Sequence, residues 1–384
     1  MTRTLLGGSR RRRTGFVAVL TATAVALPLS AVASAVEGDY IVVLNGTSTE
    51  SVAERHGVEV DHRYNTALRG FSTRLSAREA RSLAGDPAVD YVVADTPVRA
   101  TGGGDQEKPP SWGLDRIDQR ALPLDNHYRY RTRASDVTVY VIDTGVRASH
   151  HDFGGRVRGG HDFVDNDDDP DDGNGHGTFM AGIAGGETYG VAKGVTIVPV
   201  RVLNNSGSGS NAAVIAGIDW ITAHASGPSV VNMSLGGPPN QALDDAVRRS
   251  IAAGVVYSVA AGSSAGQASR NSPARVAEAI TTAAIDSSDR ATSNSNFGPL
   301  VDLYAPGSGI TGPWITSDTA GNTISGTSTA TAHTTGAVAL RLARHPDSTP
   351  AEVQDALKRH ASTGVGGLPA DTADRILYTG PFHH

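Results

Sequence analysis

At 384 residues, 39 % of them hydrophobic, the chain is long enough to bury one large core with a smaller unit beside it. A formal net charge of −6 argues against nucleic acid as a partner, and the lack of any cysteine excludes a disulfide framework, leaving packing and bound cations to stabilise the fold. With 45 glycines and only 5 % aromatic residues, the chain should be turn-rich and close-packed.

The N-terminus sets an arginine cluster (Arg10 to Arg13) before an apolar run from Phe16 to Leu27, followed by Ala33 and Ala35 in an A-x-A pattern. This predicts a secretory signal peptide over 1–35 and an extracellular product, because the apolar run is too short to span a membrane. The arginines hint at twin-arginine export without deciding between that route and the general one. No membrane contact is expected once the peptide is removed.

Residues 36–100 form the next segment. YIVVLNGT (40–47), RGFSTRLS (69–76) and YVVADTPV (91–98) have strand character, with short helical patterns between them. This predicts a small α+β domain of ferredoxin-like plan. The stretch RATGGGDQEKPP (99–110) has the composition of an exposed, cleavable linker.

Residues 101–384 alternate apolar strands with helices. VTVYVID (137–143), VTIVPVRVL (195–203), SVVNMSL (229–235), GVVYSVAAG (254–262) and AEAITTAAI (277–285) are nearly continuous apolar runs, as parallel strands covered on both faces require. Helical patterns at 211–225 and 240–253 lie between them. The prediction is an α/β fold with a doubly wound, mostly parallel sheet, whose reactive groups gather at the carboxyl ends of its strands.

Three short motifs carry the chemistry. Asp143 ends the first buried strand in D-T-G, His176 opens a helix in GNGHGTFMAGIAGG, and Ser328 sits in the first turn of the helix within ISGTSTATAHTTGAVALRLARH (324–345). Alone, each has a plain structural explanation: a turn-forming Asp, a structural His, a helix cap. Together, in the order Asp, His, Ser, they fit a nucleophilic triad, and the helix N-terminus would stabilise negative charge at Ser328.

On these motifs, together with PSWGLDRIDQRALPLD, VNMSLGG, NSPARVAEAIT and LYAPG, the chain resembles the subtilase family of serine endopeptidases, nearest its proteinase K-like branch. The resemblance runs from Pro109 to about Arg359, and 37–100 is similar to the family's inhibitory propeptide. It implies a subtilisin-like domain acting on proteins or peptides, with the propeptide as intramolecular inhibitor and the enzyme a monomer. Asp143, His176 and Ser328 would be catalytic. The Ser328 N–H would serve the oxyanion hole, with Ser263 at its second donor position. Gly207, Ser208 and Gly209, with Ser234, Leu235 and Gly236, would flank the substrate as edge strands, and Ala260 and Gly262 would line the primary specificity pocket. Asp302, with the carbonyls of Ala277 and Ala279, would hold a structural calcium ion, whereas the acidic run 165–175 lacks the glycine and closing Glu of an EF-hand and is expected to be a solvated loop.

The sequence departs from the family at several positions. Ser263 stands where the family has an oxyanion asparagine, and its oxygen would fall about 1.5 Å short of donor distance. Phe179, Thr329, Ala332 and Thr334 replace a His, a Met, a Pro and a Val, so two hydroxyls must find buried partners. Two functions stay open: a secreted zymogen peptidase with lowered turnover, or a binding protein that holds peptides or its propeptide without efficient cleavage. A structural or adhesive module would not need the triad.

Overall fold

A computed structural model of the chain describes residues 37–95 and 103–383. The expected signal peptide lies outside these residues. The chain divides into two compact units between Arg99 and Ala100.

In the first unit β1 (Glu37–Leu44), α1 (Thr49–His56), β2 (His62–Tyr64), β3 (Gly70–Ser76), α2 (Ala77–Ala84) and β4 (Val89–Ala94) follow in turn. The strands pair antiparallel in the order β2-β3-β1-β4, the ferredoxin-like arrangement. Alternate residues Val42, Leu44, Phe71 and Leu75 meet Val52, Ala53, Ala80 and Leu83 of the helices in one small core. Ser48 caps α1 by accepting from the Ser51 N–H, and Ser76 with Glu79 forms a capping box on α2.

The second unit opens with a two-stranded ribbon, β5 (Gly104–Glu107) antiparallel to β6 (His127–Tyr130), with α3 (Trp112–Ile117) between them. This corrects the expected linker over 99–110. Its polar, glycine-rich composition conceals a strand held by backbone hydrogen bonds and by the Gln106 amide, which donates to the Thr188 carbonyl at 2.9 Å.

The main sheet is built from β7 (Thr138–Asp143), β8 (His161–Asp162), β9 (Thr196–Arg201), β10 (Ser229–Met233), β11 (Val256–Ala260), β12 (Ile280–Ile285) and β13 (Leu303–Pro306). All seven strands run parallel in the order β13-β12-β11-β10-β7-β9-β8. The helices are α4 (His176–Gly185), α5 (Asn211–His224), α6 (Gln241–Ala252), α7 (Thr327–Arg344) and α8 (Pro350–His360), with a hairpin of β14 (Ile310–Pro313) and β15 (Gly321–Ile324) before α7.

Strand alternation divides the interior into two cores. Val139, Val141, Ile197, Val230 and Val256 point to the face covered by α4, α7 and α8. Tyr140, Ile142, Val231, Met233, Tyr257 and Val259 point to the face covered by α5 and α6. From β7 the chain runs to the edge strand β8, returns inward to β9 beside β7, then crosses to β10 and winds outward the other way. The crevice beyond the carboxyl ends of β7 and β10 is therefore the topological switch point, where such sheets place their ligands.

Candidate active site

Asp143 is the last residue of β7 and is fully buried. Its next residues turn sharply: Gly145 has φ 102°, and a Cβ there would lie 2.5 Å from the Pro170 carbonyl oxygen. His176 opens α4, which approaches the end of β7 so closely that a Cβ on Gly177 would sit 2.1 Å from the Gly145 oxygen. Glycine at 177 is what lets the imidazole reach the carboxylate. His176 Nδ1 lies 2.8 and 2.9 Å from the two Asp143 oxygens, which assigns the Nδ1 proton to that pair and leaves Nε2 as the basic nitrogen. Burial works against the imidazolium, but the charge and hydrogen bond of Asp143, with the more distant charge of Asp172, carry the His176 pKa above its ordinary value.

Ser328 is the second residue of α7, whose N-cap is Gly326. Its N–H has no carbonyl to reach within its own helix and sits at the positive end of an 18-residue dipole. The serine is tethered reciprocally to the end of β10: Ser328 Oγ donates to the Ser234 carbonyl at 3.1 Å, and Ser234 Oγ donates to the Ser328 carbonyl at 3.1 Å. No His176–Ser328 hydrogen bond occurs among the described residues. Resting hydroxyls of this kind often align with the base only when substrate is bound.

Ser263 lies just past β11, and its Oγ accepts from the Thr327 N–H at 3.4 Å and sits 3.2 Å from Thr327 Oγ1. Thr327 Oγ1 in turn accepts from the Gly262 N–H at 3.3 Å. The loop is shaped by buried Asn296, whose Oδ1 accepts from the N–H groups of Ser264 and Gly266 and whose Nδ2 donates to the Ala261 carbonyl. A Cβ built on Gly326 would lie 3.8 Å from Ser328 N and 3.9 Å from Ser263 Oγ, so both groups border one small space.

A cleft of about 610 Å³ runs beside His176. Gly207, Ser208 and Gly209 line it on one side and Ser234, Leu235 and Gly236 on the other, with Leu203, Val214 and Leu243 adding apolar surface. Neither segment belongs to a strand in the structure; Asn204 to Gly207 is a turn closed by the Gly207 N–H on the Asn204 carbonyl at 2.8 Å. Ala260 and Gly262 are not part of this lining and lie at the end of β11, beside Thr327.

Known proteins resemble this chain in sequence and fold. Residues 134–375 match the Subtilase family, and residues 33–101 match Peptidase inhibitor I9. The extracellular serine proteinase of Thermus sp. (strain Rt41A) is 49 % identical over 326 residues, spanning 85 % of this chain and 79 % of that protein. The subtilisin-like serine protease Pen c 1 of Penicillium citrinum is 41 % identical over 318 residues, 82 % of this chain and 79 % of its own. The crystal structure of a cold-adapted subtilisin-like serine proteinase superposes with a TM-score of 0.68 at 51 % identity, covering 70 % of this chain and 97 % of that one.

The chain belongs to the subtilase family. It is a subtilisin-like serine protease preceded by an I9 inhibitor propeptide.

Within this subtilase the buried hydroxyls find partners. Thr329 Oγ1 donates to the Gly326 carbonyl at 2.9 Å, and Thr334 Oγ1 donates to the Ala330 carbonyl at 3.3 Å while accepting from Thr282 Oγ1 at 3.0 Å. Phe179 is fully buried, edge-on to Trp314.

The acidic run needs one correction. Asp165 to Asp169 are exposed as expected, but Asp172 is buried and clamps the start of the His176 helix. It accepts from the N–H groups of Asn174, Gly175 and Thr178 and from the hydroxyls of Thr144 and Thr178. Composition concealed it among five neighbouring carboxylates; the signal that could have found it is its place four residues before a helix start, where an acidic side chain meets unpaired N–H groups.

The expected calcium locus does not fit a metal ion in this chain. Ala277, Ala279 and Asp302 do converge, but on the Gln354 amide nitrogen, which lies 3.0 Å from both carbonyls and 3.3 Å from both Asp302 oxygens. The Lys358 ammonium stands 3.6 Å from Asp302 Oδ1.

Proposed function

We propose that this subtilase is exported as a zymogen and hydrolyses peptide bonds in proteins or peptides through Asp143, His176 and Ser328, at a turnover lowered by Ser263. The observation that carries this reading is the His176 Nδ1 contact with both oxygens of the buried Asp143 carboxylate, at 2.8 and 2.9 Å. A base so oriented takes the Ser328 proton as Oγ attacks the scissile carbonyl, then returns it to the leaving amine. Asp143 stabilises the imidazolium formed in between. Water repeats the sequence on the acyl-enzyme.

The developing oxyanion would be met by the Ser328 N–H and the first turn of α7. Its second donor would be the Ser263 hydroxyl, which Thr327 holds back. The wall of small residues with Leu203, Leu235 and Leu243 favours extended substrates with apolar side chains. Export is supported by the N-terminal leader pattern and by the extracellular Thermus relative. Propeptide release between Arg99 and Gly103 would leave the β5 strand of the ribbon intact.

A second reading has its own observation. The Ser328 hydroxyl points to the Ser234 carbonyl and the Ser263 hydroxyl to Thr327, so the resting site suits a protein that binds peptides or its propeptide without efficient cleavage.

The test is propeptide release, followed by intact mass on the chain from Val36, beside Ser328→Ala and Ser263→Asn. Release by the parent that Ser328→Ala abolishes supports the peptidase. A parent that stays full-length like Ser328→Ala, while Ser263→Asn cuts, transfers the conclusion to the binding reading.

A further inference from the structure

Four oxygens from two separate parts of the chain meet at one point: the carbonyls of Ala277 and Ala279 and both carboxylate oxygens of Asp302. Such a set of hard, partly anionic oxygens is what a calcium ion collects, at 2.3–2.6 Å. Here they surround the Gln354 amide nitrogen at 3.0–3.3 Å, so each oxygen would have to close in by roughly 0.5 Å or more to coordinate an ion at the same point. The amide has only two N–H donors for four acceptors. The remaining demand of Asp302 is met by the Thr281 N–H at 2.8 Å and by the Lys358 ammonium at 3.6 Å.

Gln354 and Lys358 are four residues apart on α8 and so share a face of that helix. The helix itself is firmly placed. Thr349 and Glu352 form a capping box with Pro350 at the first turn, and Val353, Ala356 and Leu357 are buried in the main core. Two side chains on a fixed element thus deliver an N–H donor pair and a positive charge to the place where the oxygens converge. Lys358 also opposes a divalent ion, since it already neutralises the one carboxylate in the set and would repel a second cation beside it.

We propose that Gln354 and Lys358 together replace a bound cation at this locus, an internal plug that ties the loop before β12 and the loop before β13 to α8 and makes their packing independent of calcium. Calcium bound elsewhere in the chain would not bear on this, because the plug is tested by difference.

The experiment compares three full-length chains, all carrying Ser328→Ala to prevent self-cleavage: the parent, Gln354→Ala with Lys358→Ala, and the near-isosteric Gln354→Glu likewise combined with Lys358→Ala. Each is gel-filtered in a calcium chloride buffer, its bound calcium is counted by atomic emission, and its thermal unfolding is followed by circular dichroism with calcium or with chelator. The expected result is one more calcium per chain in both variants than in the parent, and a calcium-dependent rise in Tm that exceeds the parent's by about 5 °C. A Gln354→Ala chain that folds only when calcium is present gives the same support, and the Gln354→Glu chain keeps the count readable in that case. Equal calcium counts in parent and variants, with equal Tm responses, overturn the proposal.

Discussion

Replacing Ser263 by asparagine should speed this enzyme by about the worth of one oxyanion donor. The serine Oγ is held by the Thr327 N–H at 3.4 Å, a long and weak contact whose loss costs about 0.5–1 kcal/mol. An asparagine amide at 263 would extend about 1.5 Å further into the space bordered by Ser328 N. One oxyanion donor contributes about 2.7–4 kcal/mol to the transition state, a figure taken from subtilisin, itself of this fold, and borrowed here. The Thr327 contact is lost from ground and transition states alike and so bears on stability rather than rate, which leaves the full donor term of about 2.7–4 kcal/mol, or roughly 10²- to 10³-fold in kcat. KM should change little, because the charge that the amide meets exists only in the transition state. The assay is hydrolysis of a chromogenic peptide amide, with Tm measured alongside to show that the loop has held. An unchanged or lower kcat in a folded Ser263→Asn chain would refute the reasoning, since it would mean that the Ser263 hydroxyl already reaches the oxyanion or that the loop cannot present an amide there.

Because Asp143 and Asp172 raise the His176 pKa, the neutral base appears only above the ordinary imidazole value near 6.5, so kcat/KM should fall on the acid side through a midpoint higher than that. Asp172→Asn removes one of the charges that raise it and should move that midpoint to lower pH; a pH–rate profile shifted upward, or not at all, counts against this. Gly177→Ala should lower kcat at least about 10²-fold, because the new Cβ meets the Gly145 carbonyl at 2.1 Å and the relief must displace α4 from Asp143. Single-turnover kinetics on the folded variant check it. Thr334→Val keeps the shape but leaves the buried Thr282 hydroxyl without its acceptor at 3.0 Å, and should destabilise by about 1–3 kcal/mol in denaturant unfolding with little effect on turnover.

Much of the fold was legible because its strands are buried on both faces. The runs at 137–143, 229–235 and 254–262 mark β7, β10 and β11 to within two residues at either end. The triad was legible for a related reason: Asp143, His176 and Ser328 each stand at the end of a strand or the start of a helix, and glycines beside them record close backbone approach. What composition could not give were contacts whose partners lie far along the chain. β5 is polar because it pairs in a two-stranded ribbon rather than in a core. Asp172 looks like its exposed neighbours until Thr144 and Thr178 are seen to donate to it. Gln354 lies 52 residues from Asp302, and nothing local in an amphipathic helix distinguishes a glutamine that faces solvent from one that faces four oxygens.

The departures of this subtilase from its family differ in consequence according to where the new polar group finds its partner. The hydroxyls of Thr329 and Thr334 meet backbone carbonyls that are present in the resting fold, so their desolvation is offset before any substrate arrives. Gln354 meets fixed oxygens in the same way. At 263 the required partner is an oxyanion that exists only during the reaction, and in its absence the serine has turned to Thr327 instead. A group satisfied in the ground state contributes stability, whereas one left to be satisfied only in the transition state contributes rate. The chain's own contacts can therefore compensate the changes at 329 and 334 within the folded protein, but no resting contact can restore what the asparagine would supply at 263. Its cost should appear in turnover and in self-processing, with thermal stability left largely intact.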